Sequence, residues 1–193
     1  MRPAFDALLA IDDAMGDVVA KATEPALAAI KLAWWRDRLH ELDEGKVPAE
    51  PRLAAAAAEL LPRGIAGADL AGLEEGWATL LEAVPAAAQV GERGARFFAI
   101  GDRLLGATDP LLAAAGRLYG IASAARHGRA IMAFPTAEMH RIAGHRFPRR
   151  LRPLTMLARL AARDLRRLPA IEPEGTPGRA LALMNHRLFG RLA

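Results

Sequence analysis

Apolar residues recur at helical spacing along most of this sequence, and proline or glycine falls between the periodic segments. Such spacing places apolar side chains on one face of an α-helix. Alanine and leucine dominate these segments, whereas β-branched and aromatic residues are sparse, which favours helix over strand. We therefore predict an all-α protein with helices near 3–20, 24–43, 50–61, 67–83, 88–105, 109–127, 148–168 and 177–192.

The length of 193 residues fits one domain, and we predict a single helical bundle over 1–193. Around residue 144 the helical pattern is weakest, and we interpret that stretch as a long connection. Cysteine is absent, which excludes disulfides, thiolate metal sites and a cysteine nucleophile.

The N-terminal segment lacks the features of a secretion signal. Asp6, Asp12 and Asp13 fall where a signal peptide needs an uncharged apolar core. No apolar run approaches the roughly 18 residues that span a bilayer. We expect a cytoplasmic protein.

Charge is unevenly distributed along the chain. Residues 1–96 hold 10 Lys/Arg and 16 Asp/Glu, whereas residues 97–193 hold 16 Arg and 6 Asp/Glu. The net charge is therefore −6 in the first half and +10 in the second. This segregation indicates either an anionic partner or attraction between the two halves.

The run from Ile30 to Leu39, with Trp34-Trp35-Arg36-Asp37 at its centre, resembles the squalene/phytoene synthase family. The likeness covers nearly the whole chain, although the chain is shorter than a typical member. The downstream pieces that carry it are Val47-Pro48-Ala49-Glu50-Pro51, Leu61-Pro62-Arg63-Gly64, Leu73-Glu74-Glu75-Gly76-Trp77, and Gly128-Arg129 with Phe134-Pro135.

This resemblance implies a shortened version of the helical isoprenoid-synthase fold. Enzymes of that family join two prenyl diphosphates, using Mg²⁺ held between two Asp-rich helices. Carboxylates four residues apart share a helical face and can hold the cations that neutralise a diphosphate. Activity therefore depends on whether such inward pairs are present.

In the first predicted helix, only one aspartate lies in the apolar face. Asp12 is in phase with Leu8 and Met15, whereas Asp13 and Asp17 lie to one side, where we expect solvent. The inward pair at motif spacing is therefore Asp12 and Gly16, which resembles the family motif without its second carboxylate.

In the sixth predicted helix, the resemblance places the second motif at Ala122 and Arg126. An apolar residue and a cation thus occupy the positions of two metal-binding anions. We expect Asp12, Gly16, Ala122 and Arg126 to line a vestigial pocket, without a bound metal. We further expect Asp12 to pair with Arg126; the alternative is that each charge finds another partner or reaches the surface.

Residues 152–168 show a strongly amphipathic pattern, with leucines on one face. The opposite face is basic and is a candidate surface for an anionic membrane or a protein partner, or an ordinary solvated face. Nucleic acid is disfavoured, because aromatic residues for base stacking are few and Tyr119 is the only tyrosine. The basic face consists of Arg152, Arg159, Arg163, Arg166 and Arg167.

The last predicted helix carries an apolar stripe of Leu181, Met184, Leu188 and Leu192, while Arg179 and His186 face elsewhere. We expect this stripe to close the core. The alternative is an exposed dimer contact.

Together these features favour a non-catalytic family member that acts as an assembly or interaction factor. One non-catalytic branch of the family serves in the assembly of respiratory complex I, which would place the protein peripherally at the inner membrane. The alternatives are an active prenyltransferase, which alone would need Mg²⁺, and a basic scaffold that binds membrane or protein. Whether a lipid fills the cavity, and which oligomer forms, is left open.

Overall fold

The computed structural model describes residues 2–129 and 135–192, and every regular element in these ranges is a helix. Short 3₁₀ turns supplement the helices at Leu61–Arg63, Thr79–Leu81 and Arg149–Leu151. The helices are α1 (Arg2–Ala20), α2 (Pro25–Asp43), α3 (Pro51–Glu59), α4 (Gly67–Ala71), α5 (Glu74–Ala78), α6 (Ala87–Leu105), α7 (Leu112–Arg126), α8 (Thr136–Arg141), α9 (Arg152–Leu165) and α10 (Pro177–Phe189).

The prediction of an all-helical chain is confirmed over the described residues. The predicted helix 67–83 is divided into α4 and α5, and Gly72, a poor helix former, stands between them. The predicted helix 148–168 ends at Leu165, and the weak stretch near residue 144 contains the short α8. Phe134, part of one resembling piece, lies outside the described residues.

Helix starts follow local capping chemistry. Pro25 and Pro51 open α2 and α3, where the missing backbone N–H costs nothing. The Glu50 carboxylate accepts a hydrogen bond from the backbone N–H of Leu53 at 2.8 Å, and the Thr176 side chain caps α10 through Arg179.

The long helices α6 and α7 form the centre of the bundle. Their backbones touch through glycine: a Cβ at Gly94 would lie 2.0 Å from the carbonyl oxygen of Gly116. Around this pair, α5 packs on α6 and α9 packs on α7, and α10 packs on the outer side of α9. Buried apolar residues from α1 to α7 and from α9, together with Ile142, Phe147 and Leu192, form one continuous cluster.

None of the helices within residues 2–129 and 135–192 is long and apolar enough to cross a membrane.

Candidate functional site: a buried ion pair beside a polar pocket

The interior of the bundle contains an ion pair between α1 and α6. Asp12 and Arg93 are each 1% exposed, and Nη1 of Arg93 lies 2.6 Å from Oδ1 and 2.7 Å from Oδ2 of Asp12. Arg93 reaches this position because it shares the buried face of α6 with Val90, Phe97 and Ile100. A buried carboxylate without a cation would be strongly unfavourable, so each charge makes the other tolerable.

Two further donors complete the environment of Asp12. Trp77 Nε1 donates to Oδ1 at 2.8 Å, and the Tyr119 hydroxyl donates to Oδ2 at 3.1 Å. Burial, and secondarily the charge of Asp12, holds the pKa of Tyr119 well above its ordinary value, so the phenol keeps its proton. Both carboxylate oxygens are therefore occupied by hydrogen-bond donors from the protein itself.

The remaining side of the Arg93 guanidinium is also bound. Nη2 donates to the carbonyl of Gly120 at 2.9 Å and to Ser123 Oγ at 2.6 Å. The guanidinium carbon lies 3.9 Å from the ring centroid of Trp77, within the range of a cation–π contact. Arg93 Nε has no hydrogen-bond partner within the described residues. The network ties α1, α5, α6 and α7 together.

Gly16, the predicted motif partner of Asp12, faces aromatic rings. A Cβ at this position would lie 2.6 Å from Nε2 of His127 and 2.9 Å from Cη2 of Trp77. These two rings stack edge to face with their centroids 4.9 Å apart. Any side chain at position 16 would have to displace them, so this space cannot hold a second carboxylate without rearrangement.

The predicted pair between Asp12 and Arg126 is wrong. Nε of Arg126 instead lies 2.7 Å from Oδ2 of Asp164 on α9, and Nη2 donates to the carbonyl of Glu172 at 3.0 Å. Arg179 of α10 reaches the other oxygen of Asp164 at 2.5 Å. Asp12 already has Arg93 as its partner, while the buried Asp164, 2% exposed, is bound by both Arg126 and Arg179.

Ala122 and Arg126 nevertheless line a pocket of about 560 Å³ between α1, α7 and α9. Asp12 and Gly16 lie outside its lining. Asp13 and Asp17, which we expected on the solvent side, lie at its edge. The other lining residues are Tyr119, Ser123, His127, Leu157, Leu160, Ala161, Asp164, Glu174 and Arg179.

The two aspartates at the edge of the pocket have different electrostatics. Partial desolvation, reinforced by the charge of Asp12, raises the pKa of the Asp13 carboxyl. A hydrogen bond from Lys21 at 2.8 Å lowers the pKa of the Asp17 carboxyl. Over residues 2–129 and 135–192, no three His, Asp or Glu side chains converge as a metal site requires.

The predicted basic face of α9 is largely engaged within the chain. Nη1 of Arg152 donates to the carbonyls of Arg187 and Leu188 at 2.8 and 3.0 Å, and Arg159 donates to the carbonyl of Leu192. Four of the five arginines thus hold α10, its preceding loop or the C-terminal end of the chain against α9. Arg166 is exposed, and Arg163 and Arg167 pair with Glu172 at 2.5 and 3.3 Å.

The Glu172 carboxylate is the anchor of the loop between α9 and α10. Hydrogen bonds from Arg163 and Thr176 lower its pKa to about 2. It therefore stays ionised at neutral pH and keeps both arginines in place.

Arg93, Trp77 and Asp164 were not identified as site residues from the sequence. Helical phase contained the signal for two of them, since Arg93 shares the apolar face of α6 and Asp164 falls beside the buried face of α9. Comparison of the chain with protein-family models, curated proteins and solved structures finds no match.

Proposed function

We propose that this chain is a non-catalytic helical domain of the squalene/phytoene synthase type that acts as an interaction or assembly factor at a membrane. The observation that carries the proposal is the buried pair of Asp12 and Arg93. The isoprenoid-synthase fold type belongs to the same proposal, and it rests on the all-helical architecture and on the resemblance around Trp34-Trp35-Arg36-Asp37.

The pair supports the proposal because it consumes the carboxylate that chemistry would need. A diphosphate enzyme of this type requires carboxylates with lone pairs free to bind Mg²⁺. Both oxygens of Asp12 instead accept hydrogen bonds from Arg93, whose guanidinium provides the neighbouring positive charge in place of a metal ion. The aromatic rings next to Gly16 fill the adjacent motif position. The buried pair thus stabilises the fold, and under this proposal the interaction role belongs to the surface of the domain.

Titration calorimetry tests the non-catalytic part of the proposal. We expect no metal-dependent heat when Mg²⁺ and a non-hydrolysable prenyl diphosphate analogue are added to the full chain. We also expect no pyrophosphate release from prenyl diphosphates. Saturable heat that requires Mg²⁺ would overturn the proposal, and so would Mg²⁺-dependent release of pyrophosphate.

The interaction part is tested separately by co-purification of the tagged chain from its own cells. The assembly-factor reading expects respiratory subunits among the partners retained. Recovery of isoprenoid-pathway enzymes in their place would contradict it.

An active prenyltransferase is the second candidate, and one observation favours it. Asp13 and Asp17 have motif spacing and both line the pocket between α1, α7 and α9. The fit to a magnesium cluster is poor, however. Asp17 is bound by Lys21, and Asp164 across the pocket is held by Arg126 and Arg179. The double variant Asp13→Asn/Asp17→Asn tests this candidate. If the parent chain turns over prenyl diphosphates and the variant does not, the result would support an active prenyltransferase.

A further inference from the structure

Helix α10 packs with its polar side inward. Its buried residues are Arg179, Ala182 and His186, at the spacing of a single helical face. The predicted apolar stripe therefore does not close the core, and that expectation is wrong for all but the last of its residues, Leu192, which is buried. The exposed fractions are 58% for Leu181, 61% for Met184, 63% for Leu188 and 54% for Phe189.

Specific polar contacts hold α10 in this orientation. Arg179 binds the buried Asp164, and the ring of His186 lies between Thr155 Oγ1 at 2.8 Å and the carbonyl of Arg191 at 2.9 Å. Burial, together with the nearby Arg159 and Arg152, lowers the pKa of His186, so the ring is neutral at pH 7. Its Nδ1–H donates to the carbonyl of Arg191, and Nε2 accepts from Thr155. Rotating the helix to bury the stripe would break all these contacts.

The sequence around the stripe is strongly basic, although Asp164, Glu172 and Glu174 lie between its two basic ranges. Residues 139–163 and 175–192 contain no Asp or Glu but ten arginines. Three of them, Arg149, Arg187 and Arg191, are exposed and form no ion pair or side-chain hydrogen bond within the part of the chain that the structure describes. Their charge therefore faces solvent without a counter-ion from the protein.

One groove brings arginines next to Leu188 at the end of the stripe. A groove of about 550 Å³ lies between the start of α9 and the end of α10. Pro153, Met156 and Leu188 provide its apolar surface, and Arg149, Arg152 and Arg187 provide its charge. An aliphatic surface edged by guanidinium groups matches the boundary of a bilayer, where acyl chains meet phosphates.

We propose that the outer face of α10 docks on an anionic lipid surface, with Leu181, Met184 and Leu188 entering the interface and Arg149, Arg187 and Arg191 contacting lipid phosphates. This inference rests on the proposed interaction role and names the surface that performs it. The helix lies parallel to the membrane plane, since its inner side stays bound to α9.

Charge complementarity distinguishes this stripe from a second one on α2. Leu27, Ile30 and Trp34 are also exposed, by 48%, 67% and 43%. Their neighbours carry both signs, among them Glu24, Lys31 and Asp37. The α2 stripe therefore lacks the electrostatic attraction to anionic lipid, and it provides a matched control of similar apolar exposure.

The test is sedimentation of the full chain with phosphatidylcholine vesicles, with and without phosphatidylglycerol. We expect binding only to the anionic vesicles, with release at about 0.5 M salt, where charges are strongly screened. The triple variant Leu181→Ser/Met184→Ser/Leu188→Ser should lose at least about tenfold in affinity. The control Leu27→Ser/Ile30→Ser/Trp34→Ser should bind as the parent does. Circular dichroism verifies that both variants fold.

A charge variant keeps the test decisive if the triple variant fails to fold. Arg187→Glu/Arg191→Glu alters only exposed side chains and should also reduce vesicle binding at least about tenfold. Equal binding by parent and α10 variants would overturn the proposal. An equal loss of vesicle affinity in the α2 control would also overturn it, as would equal binding of the parent to neutral and anionic vesicles. A further contradicting result is a parent dimer in light scattering that the α10 variant dissociates, with no vesicle binding by the parent.

Failure of this inference is distinguishable from failure of the proposed function. Vesicle binding through α10 together with Mg²⁺-dependent turnover would refute the non-catalytic proposal and keep the docking surface. Absence of both vesicle binding and turnover would refute the docking surface alone.

Discussion

At the residue scale, the central feature is a cation supplied by the protein at the place where the resemblance leads one to look for metal. Arg93 neutralises Asp12 and binds a backbone carbonyl and a hydroxyl on α7. A guanidinium suits this role because its planar fork donates in several directions at once and keeps its charge when buried. Asp12 thus has a structural role, as the acceptor that joins α1 to α5, α6 and α7.

Removal of this guanidinium should be severe. Arg93→Met leaves Asp12 buried without a cation, and we expect the free energy of unfolding to fall by about 3–5 kcal/mol. The double variant Asp12→Asn/Arg93→Met should cost less than the sum of the two single changes by at least about 1 kcal/mol, because the two side chains interact directly. Urea unfolding followed by circular dichroism measures all three.

A matched arginine on the neighbouring helix provides the control. Arg117 pairs with Glu92 at 3.0 Å, and the two side chains are 33% and 49% exposed. Because solvent screens this pair, Arg117→Met should cost at most about 1 kcal/mol. Similar losses for Arg93→Met and Arg117→Met would contradict a special role for the buried pair.

At the element scale, most helices were predictable and their orientations were only partly so. Periodicity in the sequence locates α1, α2, α6 and α7 to within a few residues because that signal is local. The inward position of Asp12 was also correct, since it shares the phase of the leucines around it. The short helices α4 and α5 lack long periodic runs, and the sequence prediction merged them into one helix, 67–83.

The orientation of α10 could not be read from its sequence, for a physical reason. Its inner face is chosen by Asp164 and Thr155 on α9, distant in sequence, which offer polar partners to Arg179 and His186. Apolar periodicity assumes that the apolar side turns inward, and it fails where long-range polar contacts decide. The partner of Asp12 was missed because the resemblance directed the prediction to Arg126 on α7, and Arg93 on the buried face of α6 was not considered.

Contact between α6 and α7 should depend on glycine at one position and not at another. A Cβ at Gly94 would collide with backbone atoms of Gly116 and Gly120, at 2.0 and 2.6 Å. We expect Gly94→Ala to lower the free energy of unfolding by at least about 2 kcal/mol, since neither backbone can yield without separating the helices.

The control for this substitution lies one turn earlier on α6. A Cβ at Gly91 would meet only the side chain of Arg117, at an ordinary 3.5 Å. Gly91→Ala should therefore be neutral or stabilise by up to about 1 kcal/mol, as alanine favours the helix. Thermal unfolding compares the two variants, and equal effects would show that the close contact is not limiting.

At the scale of the whole molecule, the charge asymmetry contributes little to holding the two halves together. In the described part of the chain, the ion pairs that join residues 1–96 to residues 97–193 are Arg103–Asp69 and Arg117–Glu92, both at the surface. The halves meet instead through the apolar core and the glycine contact of α6 and α7. Much of the positive charge of the second half is engaged within the chain, and within the described residues unpaired charge faces solvent at Arg149, Arg187 and Arg191.

Stability should be distributed unevenly over the same architecture. Helix α6 buries large apolar side chains, including Phe97 and Phe98, whereas α10 buries Arg179, Ala182 and His186. Because local opening exposes less apolar surface at α10, its amides should exchange with solvent at least about tenfold faster than those of α6 and α7. Hydrogen exchange followed by mass spectrometry measures this order.

Addition of anionic vesicles should then slow exchange in α10 and leave α2 unchanged, since docking stabilises only the helix that binds. Protection of α10 equal to that of α6 in the free protein would show that its polar contacts to α9 lock it as firmly as the apolar core does.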